Sequence, residues 1–322
     1  MRLATVASDG PDGRLVVVSS DGRRQAPADG IAATLQSAME RWQDVEAPLK
    51  ALQGALDAGM EAEDLGEGQV LAPLPRAWQW LDGSAFACHG ELMDRALGVD
   101  PPKVDRPLMY QGVSDRFYGP TEDVPMAAED LGIDFEGEFG VIVDRVPMGV
   151  TPERAMEHIR LVVQINDWSL RALAGAEMKT GFGWVQAKPP CAMAPFAVTP
   201  DVLGDQWRDG RVHLDLRVDW NGRRFGAANG AAMDYGFHEL VAHAARTRDL
   251  VAGTVIGSGT VSNPNYREVG SSCIAERRGI ELIDLGEPRT EFMRYGDIVR
   301  MQAVTGDGQA PFGAIEQRVV RP

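Results

Sequence analysis

Cysteine, positive charge and long apolar runs are all scarce in this chain. Three cysteines occur in 322 residues, Cys88, Cys191 and Cys273. They form no C-x-x-C pair and no disulfide framework, so a reducing, cytoplasmic setting is expected. Lys and Arg total 32 against 47 Asp and Glu, a net charge of −15. That deficit excludes a nucleic-acid coat or an anionic membrane surface as the main partner, because both need basic surface. No apolar run approaches the ~20 residues that span a bilayer. The opening Met1 to Val6 runs straight into the turn-rich Ser8 to Gly13, without the apolar stretch and cleavage site of a signal peptide.

What is present is a globular balance, with 44% apolar and 25% charged residues. The length predicts about two domains at ~150 residues each. Thirty-six glycines and 20 prolines imply many turns and a β-rich α+β chain. Leu3 to Ala7 and Leu15 to Ser19 read as a hairpin around Asp9 to Gly13. Residues 31 to 59 carry helical periodicity, and Pro48 is expected to split them into two helices. Gly66-Glu67-Gly68 and Pro73 to Pro75 read as a connector. The chain therefore divides into a small N-terminal unit, 1–75, and a main domain, 76–322. In the latter, Phe135 to Val143, Leu161 to Ile165, Val212 to Asp219, Ile280 to Ile283 and Ile298 to Ala303 read as strands. Asn221-Gly222 is a type I′ turn signal. Thr151-Pro152 opens one helix, and Tyr235 to Arg248 forms another.

Two tempting motifs fail on spacing. His238 and His243 stand five apart, about 140° around a helix, where a zincin needs i and i+4. Gly257-Ser258-Gly259 begins a dinucleotide fingerprint, but residue 262 is Ser and no helical pattern follows.

The acidic stretch Asp134-x-Glu136-x-Glu138 survives. On a strand, Glu136 and Glu138 share a face with Cα atoms roughly 6.6 Å apart. Their repulsion destabilises the strand unless solvent or a cation screens it, and a hard divalent cation takes such oxygen ligands. A solvated face is the plainer reading. The apolar Val141-Ile142-Val143 that follows argues instead for an internal strand. Asp167 closes another apolar run, either as a site carboxylate or as the N-cap of a helix over 168–178.

Asp134-x-Glu136-x-Glu138, then Gln164-Ile165-Asn166-Asp167-Trp168-Ser169-x-Arg171, then Lys188, then Gly257-Ser258-Gly259-Thr260-Val261-Ser262 together resemble the fumarylacetoacetate hydrolase family over roughly residues 75 to 322. The resemblance implies a mixed β-roll or β-sandwich catalytic domain with a small N-terminal domain, usually a homodimer. It implies a metal, Mg²⁺ with Mn²⁺ or Ca²⁺ as alternatives, held by Glu136, Glu138, Asp167 and Asp82. Asp82 precedes His89 by seven residues, the interval seen in members like fumarylacetoacetase, so His89 is the implied general base. Lys188 is implied near the metal, with Tyr110 and Thr260 against the substrate.

The implied reaction suits these residues. A Lewis acid polarises a 1,3-dicarbonyl. A histidine, whose side chain titrates near neutrality, takes a proton from water, and a lysine stabilises the charge that develops. The chain departs from the family pattern where a Glu should orient His89. Ile274 or Leu92 occupies the matching positions, leaving Glu91 and Glu276 as candidates. Gly98 stands where an Arg is expected, with Arg95 nearby. The first expectation is therefore a C–C hydrolase of a small-molecule diketo acid such as fumarylacetoacetate, the intermediate of tyrosine breakdown. A 2-oxo-alkenoate hydratase or oxaloacetate decarboxylase is second, and a non-enzymatic cation-binding scaffold third.

Overall fold

The computed structural model describes residues 1–66, 70–98, 100 and 104–322. Glu67 and Gly68 of the expected connector lie outside the described residues. The molecule is α+β and β-rich, built on two mixed sheets. Among the described residues the larger sheet has 11 strands. From the central strand Ile159–Asn166 it runs through Gly137–Val143, Thr254–Gly257 and Trp80–Ser84 to the edge strand Leu108–Gly112. The Trp80–Ser84 and Thr254–Gly257 strands are parallel, and the other central pairs are antiparallel.

Residue alternation explains how this sheet is covered. Val141 and Val143 enter one core, while Ile142 enters the other. In the next strand Val162 faces the first core, and Leu161, Val163 and Ile165 face the second. A strand with both faces covered reads as a continuous apolar run, which is why the expected internal strand was visible in the sequence. The second core is closed by Leu35, Met39, Trp42, Val45 and Leu49 from two helices, Leu35–Met39 and Trp42–Asp57. The first is closed by a five-stranded sheet that contributes Leu216, Val218, Met301 and Ile315. Gln164 stitches the two sheets together. Its Nε2 donates to the Met301 carbonyl at 3.1 Å and its Oε1 accepts the Ala303 N–H at 2.7 Å.

The N-terminal hairpin forms as Arg2–Val6 against Arg14–Val18, and a third strand, Arg24–Pro27, extends it. This unit does not stand aside. Arg2–Val6 pairs with Ala197–Val198, which pairs with Ile159–Asn166, so the large sheet is continuous from the N-terminal unit to the strands of the main domain.

Several elements differ from expectation for identifiable reasons. The helix break falls at Glu40 and Arg41, not at Pro48, which lies inside the continuous helix Trp42–Asp57. Pro48 is exposed, as is Asp44, whose carbonyl the proline leaves without a helical partner. Ile280 to Ile283 is helix, part of Ile274–Leu285. Gly279 is buried where this helix crosses the helix Ala87–Leu97. A Cβ there would meet Leu92 Cδ2 at 2.9 Å. The strand expected over Phe135 to Val143 begins only at Gly137, after a two-residue strand Ile133–Asp134. The Tyr235 to Arg248 helix is shorter, Phe237–Ala244 with a 3₁₀ turn to Thr247. Asn221 and Gly222 both have positive φ, 50° and 73°, as a type I′ turn requires. Among the described residues no helix is long and apolar enough to cross a membrane.

Candidate active site

Strand register assembles the acidic cluster. Asp82 lies on Trp80–Ser84, opposite Gly257 on one side and Tyr110 on the other. Glu138 lies on the neighbouring Gly137–Val143, paired with Ile165. Asp167 follows the end of Ile159–Asn166. Its backbone N–H donates to the Glu136 carbonyl at 2.9 Å. One carboxylate oxygen from each of Asp82, Glu138 and Asp167 lies within 4.8 Å of the others, and all three residues are buried. Asp167 does not cap the following helix, which starts at Arg171 with Leu170 as N-cap. Its plainer reading therefore fails.

The cluster is under-compensated. Both Glu138 carboxylate oxygens are buried without a hydrogen-bond partner. Burial, then the Asp82 and Asp167 charges, pushes Glu138 well above the usual carboxylate range. Burial and the Asp167 charge raise Asp82 to about 8. An orphaned carboxylate between two others is costly in a protein interior. An all-oxygen set of this kind fits a hard divalent cation.

Glu136 is adjacent but differently employed. It precedes the strand, in a β-bridge with Cys273. Its Oε1 accepts from Lys188 Nζ at 2.7 Å and Ser169 Oγ at 2.6 Å, and ion-pairs with Arg171 Nη2 at 2.9 Å. Thr260 Oγ1 donates to its Oε2. Burial alone would raise its pKa, but Arg171 and Lys188 outweigh that and hold Glu136 well below the usual range. The three carboxylates within mutual reach are thus Asp82, Glu138 and Asp167, with Glu136 beside them.

Lys188 is a site lysine and not an exposed loop residue, being only 7% accessible. Its ammonium joins Glu136 to Asp167 and lies over the rings of Tyr110 and Trp184, at 5.5 and 5.7 Å. Burial opposes its charge, but Asp167 and Glu136 more than offset this and keep the amine protonated. Asp167 Oδ2 also accepts from Tyr110 OH at 2.9 Å, and its Oδ1 from Cys191 Sγ at 3.0 Å. Tyr110 and Thr260, implied as substrate contacts, therefore line the carboxylate site.

His89 stands on the helix Ala87–Leu97, which follows the Asp82 strand. Its Nδ1 is 3.5 Å from Glu276 Oε1, and Glu276 is fully buried. Glu91 is exposed. Of the two candidates to orient His89, Glu276 is the one that faces it. Gly98 ends this helix with φ 64°, and Arg95 is exposed.

One short segment connects both halves of the site. Gly259 N–H donates to Asp82 Oδ1 at 3.1 Å, Thr260 binds Glu136, and Ser262 Oγ donates to Glu276 Oε1. Its glycines are close-approach positions. A Cβ on Gly257 would sit 2.5 Å from Asp82 Oδ1, and Gly259 has φ 76°. His238 and His243 lie away from this site, on the helix Phe237–Ala244, where His238 Nδ1 packs beside Gly210 and Gly236.

Asp134 and Arg171 have roles the sequence motif did not suggest. Arg171 Nε donates to Asp134 Oδ2 at 2.7 Å. Asp134 also accepts the backbone N–H groups of Ile274 and Ala275, at 2.7 and 2.9 Å. Asp134 thus caps the helix Ile274–Leu285 that carries Glu276, while its partner Arg171 grips Glu136.

This arrangement defines a class. The C-terminal fumarylacetoacetate (FAA) hydrolase family model matches residues 79–320, and fumarylacetoacetase N-terminal domain 2 matches residues 1–76. The chain belongs to the fumarylacetoacetate hydrolase family. It is 25% identical over 218 residues to a 2,4-didehydro-3-deoxy-L-rhamnonate hydrolase of Sphingomonas sp. (strain SKA58), covering 67% of this chain and 73% of that protein. Matches to Burkholderia proteins span 57% of those proteins' length. The fold is that of the maleylpyruvate hydrolase of Sphingobium sp. SYK-6, solved with manganese(II) and pyruvate. That comparison has a TM-score of 0.66 at 18% identity, covering 100% of this chain and 99% of that one. A fumarylacetoacetate hydrolase from Exiguobacterium antarcticum has a TM-score of 0.66 at 19% identity, with both chains covered in full.

Proposed function

We propose that this protein is a divalent-metal-dependent hydrolase that cleaves a C–C bond in a 1,3-diketo acid. The observation that carries the reading is the buried meeting of Asp82, Glu138 and Asp167, with Glu138 unpartnered, beside the ammonium of Lys188. Asp82, Glu138 and Asp167 would hold the cation, with Glu136 as the adjacent fourth carboxylate. Mg²⁺ and Mn²⁺ are the first choices for such oxygen donors, and Ca²⁺ is the alternative. When bound, the cation supplies Lewis-acid polarisation of paired carbonyl oxygens.

The chain's own groups do the rest. His89 takes the proton from an attacking water, and Glu276 holds the imidazole in orientation. Lys188 faces the negative charge that develops on the departing fragment. Tyr110 and Thr260 meet the substrate from beside Asp167 and Glu136, the carboxylates their hydroxyls bind. The name of the Sphingomonas relative supports the substrate class, since its positions 2 and 4 flank a deoxy carbon in a 1,3 relation. A purely structural cation site has no use for a histidine–glutamate pair and a lysine at its edge, which counts against a scaffold role.

Fumarylacetoacetate is the first substrate to test. NMR of the purified protein with this acid, with Mg²⁺ and then with EDTA, reads the products directly. Fumarate and acetoacetate formed only with metal are the expected result. With 2-oxo-alkenoates and oxaloacetate as further substrates, a hydroxy-acid would move the assignment to a hydratase and CO₂ to a decarboxylase.

A further inference from the structure

A second group of donors lies outside the carboxylate cluster. One ligand-capable atom of each of His89, Cys273 and Glu276 lies within 4.8 Å of the other two. His89 Nδ1 faces Glu276 Oε1 at 3.5 Å. That nitrogen and Glu276 Oε2 are buried with no hydrogen-bond partner, and Glu276 itself is fully buried. Cys273 Sγ accepts the backbone N–H of Glu276 at 3.3 Å and is likewise fully buried. An unsatisfied imidazole nitrogen, a carboxylate whose Oε1 holds Ser262 Oγ and whose Oε2 is free, and a thiol therefore lie close together.

The donor types differ from those of the first cluster. A thiolate, an imidazole and a carboxylate suit a borderline-soft ion, whereas three carboxylates suit a hard one. We propose that His89, Cys273 and Glu276 form a second cation site, selective for Zn²⁺ over Mg²⁺, whose occupation inhibits the enzyme. Binding exchanges the Cys273 S–H bond for a Zn–S bond and releases one proton to solvent, with no change of oxidation state. Zn²⁺ ligands stand about 3.4 Å apart in a tetrahedron, so the three side chains, within 4.8 Å of one another, must draw together by up to about 1.4 Å. His89 is the partly accessible member and gives the route of entry. Inhibition follows because the ion takes the His89 lone pair and the Glu276 carboxylate together. That half of the proposal rests on the function proposed above, while the binding half does not.

Co²⁺ is the spectroscopic probe, added to metal-free full-length protein in saturating Mg²⁺. The expected result is a thiolate-to-cobalt charge-transfer band that saturates at one equivalent and is erased by Zn²⁺. The band should vanish in Cys273→Ser, which puts an N-cap hydroxyl oxygen in place of the sulfur that accepts the Glu276 N–H and so preserves the helix start. It should also vanish in His89→Ala. It should persist in Cys88→Ser and in Glu138→Gln. In turnover assays with Mg²⁺ saturating, Zn²⁺ should inhibit the wild type at least about tenfold more strongly than Cys273→Ser. No band in the wild type, or a band that survives Cys273→Ser or is lost in Cys88→Ser, overturns the site. Equal Zn²⁺ inhibition of wild type and Cys273→Ser overturns the regulatory half. Absence of turnover on every acid tested, with the band present, overturns the assigned reaction and leaves the metal site established.

Discussion

Replacing Asp134 by Ala is expected to cost about 4 kcal/mol. Asp134 is fully buried, accepts two backbone N–H groups at the start of the helix Ile274–Leu285, and pairs with Arg171. Losing a carboxylate acceptor for the first helical N–H groups costs about 1 kcal/mol, as removal of an N-cap side chain does. Leaving a buried charge without its partner costs ~3–5 kcal/mol. The lower end applies here, because Arg171 keeps its 2.9 Å contact with Glu136. For a chain of this size roughly 2 °C is lost per kcal/mol, so the melting temperature should fall by about 8 °C. Asp134→Asn keeps one acceptor oxygen for the helix N–H groups and should lose about half as much. Calorimetry and urea titration of both variants, with Mg²⁺ present, measure this. The same change should also lower turnover at temperatures where the variant is fully folded, since the helix it anchors carries Glu276. A melting temperature for Asp134→Ala within about 2 °C of wild type would refute the reasoning, because the cap and the buried pair cannot both be lost at so small a cost.

Three further outcomes follow from the same site. Glu276→Gln should lower kcat about 10²-fold with KM changed less than about threefold, because the histidine is still present but no longer held by a carboxylate; steady-state kinetics reads the split. Lys188→Met leaves Glu136 and Asp167 buried with less counter-charge, so metal-free protein should lose ~3 kcal/mol in urea titration and kcat should fall by about 10²-fold or more. For pH, burial and the Asp167 charge raise the folded pKa of Asp82 to about 8 from about 3.9 for an ordinary aspartate, and Glu138 moves the same way. The folded state then binds more protons than the unfolded chain between those values, so this contribution is greatest in acid and is lost as pH rises towards about 8. EDTA-treated protein should melt at falling temperature from about pH 5 to 8, and saturating Mg²⁺ should flatten that slope; a rising melting temperature in EDTA would contradict it.

The parts of the site that were legible in the sequence are those whose partners are set by strand period. Glu138 and Asp167 stood out as carboxylates at or beside the ends of buried strands, because an apolar run covered on both faces makes a solvated charge less natural. Lys188 and His89 came from the family resemblance alone. Their neighbourhoods are built by chain segments about 50 and 190 residues away, at Glu136 and Glu276. Local pattern misled where a tertiary contact outweighed it. Pro48 stays in its helix because its face is solvent, and Ile280 to Ile283 is helical because Gly279 lets two helices touch.

Asp134 shows most clearly what a motif cannot reveal. It opens Asp134-x-Glu136-x-Glu138 and looks like one more carboxylate for a cation, yet its oxygens are committed to Arg171 and to two backbone N–H groups 140 and 141 residues away. Spacing groups the three acids together, but partners separate them. Glu138 has no hydrogen-bond partner, Glu136 has cations and hydroxyls, and Asp134 has a helix end and a guanidinium. Each environment sets a different role for the same functional group. An orphaned carboxylate gains most from a metal, a cation-bound one fixes a lysine, and a capping one fixes a helix. Ile274 at the expected glutamate position has the same kind of explanation. Glu276 stands two residues further along, in the first turn of the helix that Asp134 anchors. The carboxylate that faces His89 is thus supplied by helix placement, and that placement depends on an aspartate in the acidic motif itself.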